Sequence, residues 1–226
     1  MEAVAMREAG RAGDDMVWYA HHAVQCAPRT FADVSGALTS LSWADHGATL
    51  FGVWRSQIGR PRDELNAITV WNSAAEAAAA EPMMQSIPGV RAVSSQAMQA
   101  TSRPASAVPP TRQGNYAFRW FELPERHWIE FLSLCEAAWP GFEAAYDSQV
   151  IGLWRCAASE PGTRRALLLT RRPDLAMWER SKIPVGEAEE TVRRQLSRRY
   201  DLCDATWAYT TTLLTASDRA DTARWT

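Results

Sequence analysis

Residues 51–55 read Phe51-Gly52-Val53-Trp54-Arg55, and residues 151–155 read Ile151-Gly152-Leu153-Trp154-Arg155. Glycine, tryptophan and arginine recur in the same places one hundred positions apart. Each pentamer is followed by a turn-rich stretch, 58–63 or 159–163, and then by a run of strand formers, 65–71 or 165–170. That order predicts a β-hairpin in each half, with the pentamer on its first strand (49–57 and 149–157).

Working outward, the matching continues. Upstream of each pentamer lies a helix-like segment, 31–43 or 126–139, and before that a β-branched and aromatic run, 16–24 or 115–123. Downstream, Ser73 is a natural N-cap for a helix over 73–85. Its counterpart, 173–199, is broken near Pro184–Gly186. A fourth strand, 90–101 or 206–215, closes each unit. Residues 103–114, rich in Pro, Ser and Ala, continue neither helix nor central strand and form the linker. The chain thus divides into a leader (1–15), a first repeat (16–102), the linker (103–114), a second repeat (115–216) and a tail (217–226).

Both repeats have the order β-α-β-β-α-β, the ferredoxin-like arrangement. Each unit carries helices on one sheet face, so the other apolar face needs a cover. Two units in one chain can cover each other, sheet to sheet. The expected fold class is therefore α+β, a single-chain dimeric α/β barrel with a ligand cavity between the sheets.

The composition agrees. The 226 residues are 46% hydrophobic and 22% charged with a net charge of −2, as in a globular protein. Lys182 is the single lysine among 24 basic residues, and the arginines are interspersed with acids, which argues against a nucleic-acid partner. No apolar run approaches the roughly eighteen residues of a membrane helix, and the leader lacks a signal-peptide core, so a cytoplasmic location is the default. The four cysteines show no metal-binding spacing and read as buried free thiols. Most of the 11 tryptophans must be core, with a minority left to line a pocket.

Phe51-Gly-Val-Trp-Arg-Ser-Gln-Ile-Gly59 followed by Asp63-Glu-Leu-Asn-Ala-Ile-Thr-Val-Trp71 resembles the NIPSNAP motif, and Tyr116-Ala-Phe-Arg119 with Gly152-Leu-Trp154 is similar to it in the second half. The resemblance implies the dimeric α/β-barrel superfamily, in which functions range from cofactor-free oxygenases, cyclases and isomerases to haem enzymes, so it implies fold more than chemistry. The chain departs from the motif where the family has a histidine (Thr69 and Leu168), a tryptophan (Thr170) and a first-strand glutamate (Tyr19 and Ala117).

Aligning Trp18 with Tyr116 sets His21 against Arg119. On that alignment Tyr19 and His21 share one strand face. Ala117, Arg119 and Phe121 share the matching one. His21 is then the candidate general base, and Arg119 the group that holds a carboxylate or oxyanion. The alternative is a hydrogen-bonded core histidine, with Arg119 paired to Glu122 or Glu143. Trp54 and Trp154 are expected to border the cavity, with Arg55 and Arg155 on the opposite face, and Thr69 and Trp71 are candidates on the adjacent strand. His22 is expected to face the helices, His46 to sit in a turn and His127 to face water. No phosphate loop, nucleophile elbow, zinc motif or dinucleotide fingerprint is present.

The resulting expectation is a small-molecule enzyme doing acid/base chemistry without metal or other cofactor: an isomerase, cyclase, lyase or cofactor-free oxygenase acting on an aromatic or polyketide-like metabolite. The alternatives are a haem enzyme using His21 or His22 as ligand, or a non-catalytic binder with the same pocket. The expected assembly is a monomeric pseudo-dimer or a homodimer.

Overall fold

A computed structural model describes residues 17–157 and 160–218; the leader and residues 219–226 of the tail lie outside it. Eight strands form: β1 (Trp18–Cys26), β2 (Ala48–Ile58), β3 (Glu64–Trp71), β4 (Val90–Ala100), β5 (Asn115–Pro124), β6 (Gln149–Cys156), β7 (Thr163–Arg172) and β8 (Ala205–Leu213). They close into a barrel in the order β1-β3-β2-β8-β5-β7-β6-β4. Each repeat contributes a four-stranded antiparallel sheet. Short ladders join the sheets, from Trp54↔Leu213 to Ile58↔Thr210 on one side and from Met98↔Cys156 to Ala100↔Trp154 on the other. Closure pairs every strand on both sides over at least part of its length.

The helices follow the predicted order: α1 (Phe31–Ser40), α2 (Ala74–Ala78), α3 (Ala80–Gln85), α4 (Trp128–Tyr146), α5 (Leu175–Arg180) and α6 (Glu187–Asp201). Ser73 caps α2, its hydroxyl accepting from the Glu76 amide at 3.2 Å. The predicted 173–199 helix is interrupted at Gly186, whose φ of 82° is left-handed and suits glycine. The two repeats differ most here. The first sheet is covered by the ten-residue α1 with short α2 and α3, whereas the second lies under a 19-residue α4 packed beside α6.

The pentamers have a packing explanation. In both repeats the hairpin ladder shifts register just before the glycine, between Leu50 and Gly52 and between Val150 and Gly152. The tryptophan two residues on folds back across that glycine: a Cβ on Gly52 would stand 2.5 Å from the Trp54 ring, and one on Gly152 at 2.5 Å from that of Trp154. Glycine is required because the indole occupies the space where its side chain would be.

Three apolar layers result. The lumen is filled by Tyr19, Phe51, Trp54, Tyr116, Phe118 and Trp154 with aliphatic neighbours. Two outer layers sit between each sheet and its helices. One end of the lumen is closed by the linker and the C-terminal segment: Ala107 and Ala216 pack on the lumen cluster, and the Tyr116 hydroxyl donates to the Arg112 carbonyl at 2.5 Å. At the other end, called the mouth below, Trp120, Trp207 and Arg165 gather and Trp207 reaches the surface.

Candidate functional site

Inside the aromatic lumen, three polar side chains from three strands meet below the mouth. His21 (β1) donates from Nε2 to Asn66 Oδ1 (β3) at 2.9 Å, and the Tyr209 hydroxyl (β8) donates to the same oxygen at 2.7 Å. Because Asn66 Oδ1 only accepts, Nε2 carries the imidazole proton and Nδ1 keeps its lone pair. Tyr209 Oη lies 3.5 Å from His21 Nε2, and its ring stacks on Phe118 at 5.4 Å. Asn66 Nδ2 is buried with no acceptor, as are the indole N–H groups of Trp54 and Trp154 in the same lumen.

His21 is 5% exposed and packs edge-on against Trp120 at 5.2 Å. Burial lowers its pKa to about 4, opposed by the hydrogen bond it makes to Asn66 and assisted by the charges of Arg165 and Arg60. At neutral pH His21 is therefore an uncharged imidazole. Over it, Arg165 lies 4.7 Å from the Trp120 ring and 5.4 Å from that of Trp207, and Trp207 is 39% exposed. Arg60 is held by Glu64 through two hydrogen bonds of 2.8 Å.

Of the residues expected to line the lumen, Tyr19, His21, Trp54 and Trp154 do so. Arg119, Phe121, Thr69 and Trp71 do not; for Arg119 and Phe121 one residue of register is the cause. By ladder position Trp18 opposite Trp71 matches Asn115 opposite Arg172. Tyr19 is therefore equivalent to Tyr116, His21 to Phe118, and His22 to Arg119. A slip of one position moves every side chain to the other face. The shared dipeptides Tyr19-Ala20 and Tyr116-Ala117 carry the correct alignment. Phe121 packs outward on Phe131 of α4, their ring centroids 4.9 Å apart. Trp71 packs on Trp43 at 6.3 Å, and Thr69 accepts from the Trp71 indole at 2.6 Å. On β3 the lumen residues are Asn66, Ile68 and Val70.

His22 faces the helices as expected. It is fully buried, with Nδ1 2.8 Å from Ser95 Oγ and Nε2 2.8 Å from Thr69 Oγ1. Arg55 also points outward, 3.5 Å above the Phe31 ring. His46 is exposed, but His127 is half-buried, with Nδ1 3.3 Å from the Leu202 carbonyl. Neither acid proposed as a partner of Arg119 is one: Glu143 pairs with Arg103 at 2.6 Å, and Glu122 with Arg165 at 3.6 Å. Arg119 instead enters a cavity of about 390 Å³ between the second sheet and α4, α5 and α6.

The histidines do not fit the haem alternative. An axial ligand needs a free ring nitrogen facing open space. Both nitrogens of His22 are engaged within the core, and His21, with Nε2 held by Asn66 and its ring between Phe118 and Trp120, has no room beside it for a macrocycle. The residues lining the outer cavity include no histidine, cysteine or methionine. The buried thiols are pushed upward, Cys26 to about 11 and Cys156 to about 12, so they are not nucleophiles at neutral pH.

The sequence matches no protein-family model and no curated protein. Solved structures do match. An anthrone oxidase-like protein superposes with a TM-score of 0.61 at 12% identity, over 90% of this chain and 93% of that one. A putative monooxygenase from Lactobacillus acidophilus NCFM gives 0.51 at 8% identity, over 89% and 97%. A chlorite dismutase variant from Candidatus Nitrospira defluvii gives 0.54 at 8% identity, over 92% and 94%. At these identities the likeness is one of fold, and the chain has the fold of the dimeric α/β barrels, here with both halves in a single polypeptide.

Proposed function

We propose that the protein is a cytoplasmic small-molecule enzyme that moves a proton on an aromatic, oxygen-bearing substrate at the mouth of the barrel, without metal or other cofactor. The observation that carries this reading is the His21–Asn66–Tyr209 cluster: three polar groups from three strands set into an aromatic lumen, with the Asn66 Nδ2 donor left unused. A core serving stability alone gains nothing from such a group, because an unpaired buried donor costs about 1–3 kcal/mol. A substrate oxygen on Asn66 Nδ2 satisfies it.

In this mechanism His21 Nδ1 accepts a proton from an acidified C–H or O–H of the substrate. The resulting imidazolium is disfavoured by burial and by Arg165, and the new substrate anion offsets that repulsion. Asn66 Nδ2 stabilises the developing oxyanion, and the Tyr209–Asn66 hydrogen bond fixes the amide. Arg165, not Arg119, is the cation on this side of the wall. Trp207 and Trp120 form the entrance. The likeness of fold to an anthrone oxidase-like protein and a putative monooxygenase supports trying aromatic ketones and phenols first, and the likeness of the Gly-x-Trp units to NIPSNAP proteins is part of the same proposal.

The test is a screen of aromatic ketones and phenols, anthrone included, followed by absorbance and oxygen uptake. The reading requires a compound whose turnover falls by about 10²-fold or more in His21→Ala and Asn66→Ala. His22→Gln should leave that turnover in place. Turnover undiminished in His21→Ala contradicts it.

A further inference from the structure

The cavity over the outer face of the second sheet has a different chemistry from the lumen. Arg119 of β5, Arg172 of β7, Lys182 after α5, and Arg193 and Arg199 of α6 line it, with Asp201 as the one acid among the described lining residues. None of these five cations takes part in an ion pair among the described residues. Arg172 and Arg199 are each 7% exposed, and the Nε of each is buried without an acceptor. Arg172 is fixed by donating to Thr170 Oγ1 at 3.1 Å, and it lies 4.6 Å from the Trp178 ring and 5.0 Å from that of Phe142. Trp139 also presents a buried, unpartnered indole N–H.

Burying cations side by side without a counter-charge is costly. The cost is visible: burial and the neighbouring arginines lower Arg119 and Arg172 to about 10 and Lys182 to about 8. The first repeat avoids it. Around the equivalent threonines, Thr69 and Thr170, the first half has neutral His22 and Trp71 where the second has Arg119 and Arg172. Aromatic walls flank the cations, and about 390 Å³ lies within the roughly 300–1,000 Å³ of small-molecule sites.

We infer that this cavity is a binding site for a small organic anion, one that carries a phosphate or two carboxylates on a flat apolar body. The acidic groups lie against Arg119, Arg172 and Arg199, and the body lies against Trp139, Phe142 and Trp178. The site shares no residue with the lumen cluster, so it stands independently of the reaction proposed there.

Phenyl phosphate, phthalate and inorganic phosphate are titrated into the full chain, followed by tryptophan fluorescence and by the melting temperature. The two aromatic dianions should bind saturably and raise the melting temperature, with inorganic phosphate at least about tenfold weaker. Arg119→Leu and Arg172→Met should each weaken phenyl phosphate by about 30-fold without lowering the melting temperature of the unliganded protein. The rim variant Arg193→Gln, which removes an exposed side chain, should weaken it less, and His21→Ala should leave it unchanged. Absence of saturable binding, inorganic phosphate binding as tightly as the aromatic dianions, or affinity unaltered in the arginine variants overturns the proposal.

Discussion

Arg119 occupies in the second half of the barrel the ladder position that His22 occupies in the first, each facing a helix layer and not the lumen. His22 is closed into a neutral network with Ser95 and Thr69, whereas Arg119 opens into a cavity beside other cations. The two halves share a scaffold and differ in the charge of one outer face.

The neutral network makes the fold sensitive to acid. Burial lowers His21 to about 4 and His22 to about 3 from an ordinary 6.5. As pH falls below 6.5, the unfolded chain takes up protons that the folded chain refuses, so stability is complete above that pH and is lost on acidification. Each histidine contributes a slope of up to about 1.4 kcal/mol per pH unit. Urea unfolding at pH 7.5, 6, 5 and 4.5 should show this loss, and His22→Gln should reduce the slope. An unchanged slope in that variant contradicts the assignment.

The cationic face adds a second window of the same sign, at alkaline pH. Lys182 is lowered to about 8 from 10.5 by burial and by Arg119, Arg172, Arg193 and Arg199. Between those values the unfolded chain holds a proton that the folded chain has released, so this group makes stability rise with pH. Unfolding of Lys182→Met should lack that component. A saturating aromatic dianion should also suppress it, by restoring the charged lysine.

The glycines of the repeated pentamer should behave as steric partners of their tryptophans. Gly52→Ala places a Cβ 2.5 Å from the Trp54 ring, and overpacking of this kind costs about 1–3 kcal/mol. Trp54→Phe removes the atoms that clash. The double variant should therefore be less destabilised than the sum of the two single changes, as measured by chemical denaturation. Strict additivity would mean that the indole does not need the glycine.

The mouth offers a further check. Trp207 stacks on Trp120 with ring centroids 6.3 Å apart, above His21. Trp207→Ala should leave the fold intact because the side chain is 39% exposed. It should raise the KM of any lumen substrate with less effect on kcat than Asn66→Ala. The reverse pattern would place substrate entry elsewhere.

The strand and helix order was legible because it rests on local signals: the Gly-x-Trp strands, which occur twice, the Ser73 cap of the first half and the break at Gly186 in the second. The faces were less so. Pairing Trp18 with Tyr116 was off by one position, and that moved Arg119 and Phe121 into the lumen on paper. The Tyr-Ala dipeptides at 19–20 and 116–117 held the correct register. Thr69 and Trp71 were misplaced because β3 is buried on both faces, so no polar alternation marks its outer side. Tyr209, Asn66 and Trp120 join His21 only through pairing between distant strands, which no local pattern reports. No local pattern marks Arg172 and Arg199, which are brought together only where α4, α5 and α6 cover the second sheet.

The account turns on His21 being a neutral lumen imidazole with its proton on Nε2 and its lone pair on Nδ1. Nitrogen-15 chemical shifts of labelled histidine, followed from pH 8 to pH 3.5 and assigned with His21→Gln, measure this without a substrate. The prediction is a single Nε2–H tautomer that resists protonation until about pH 4. An ordinary titration near 6.5, or a proton on Nδ1, would contradict it.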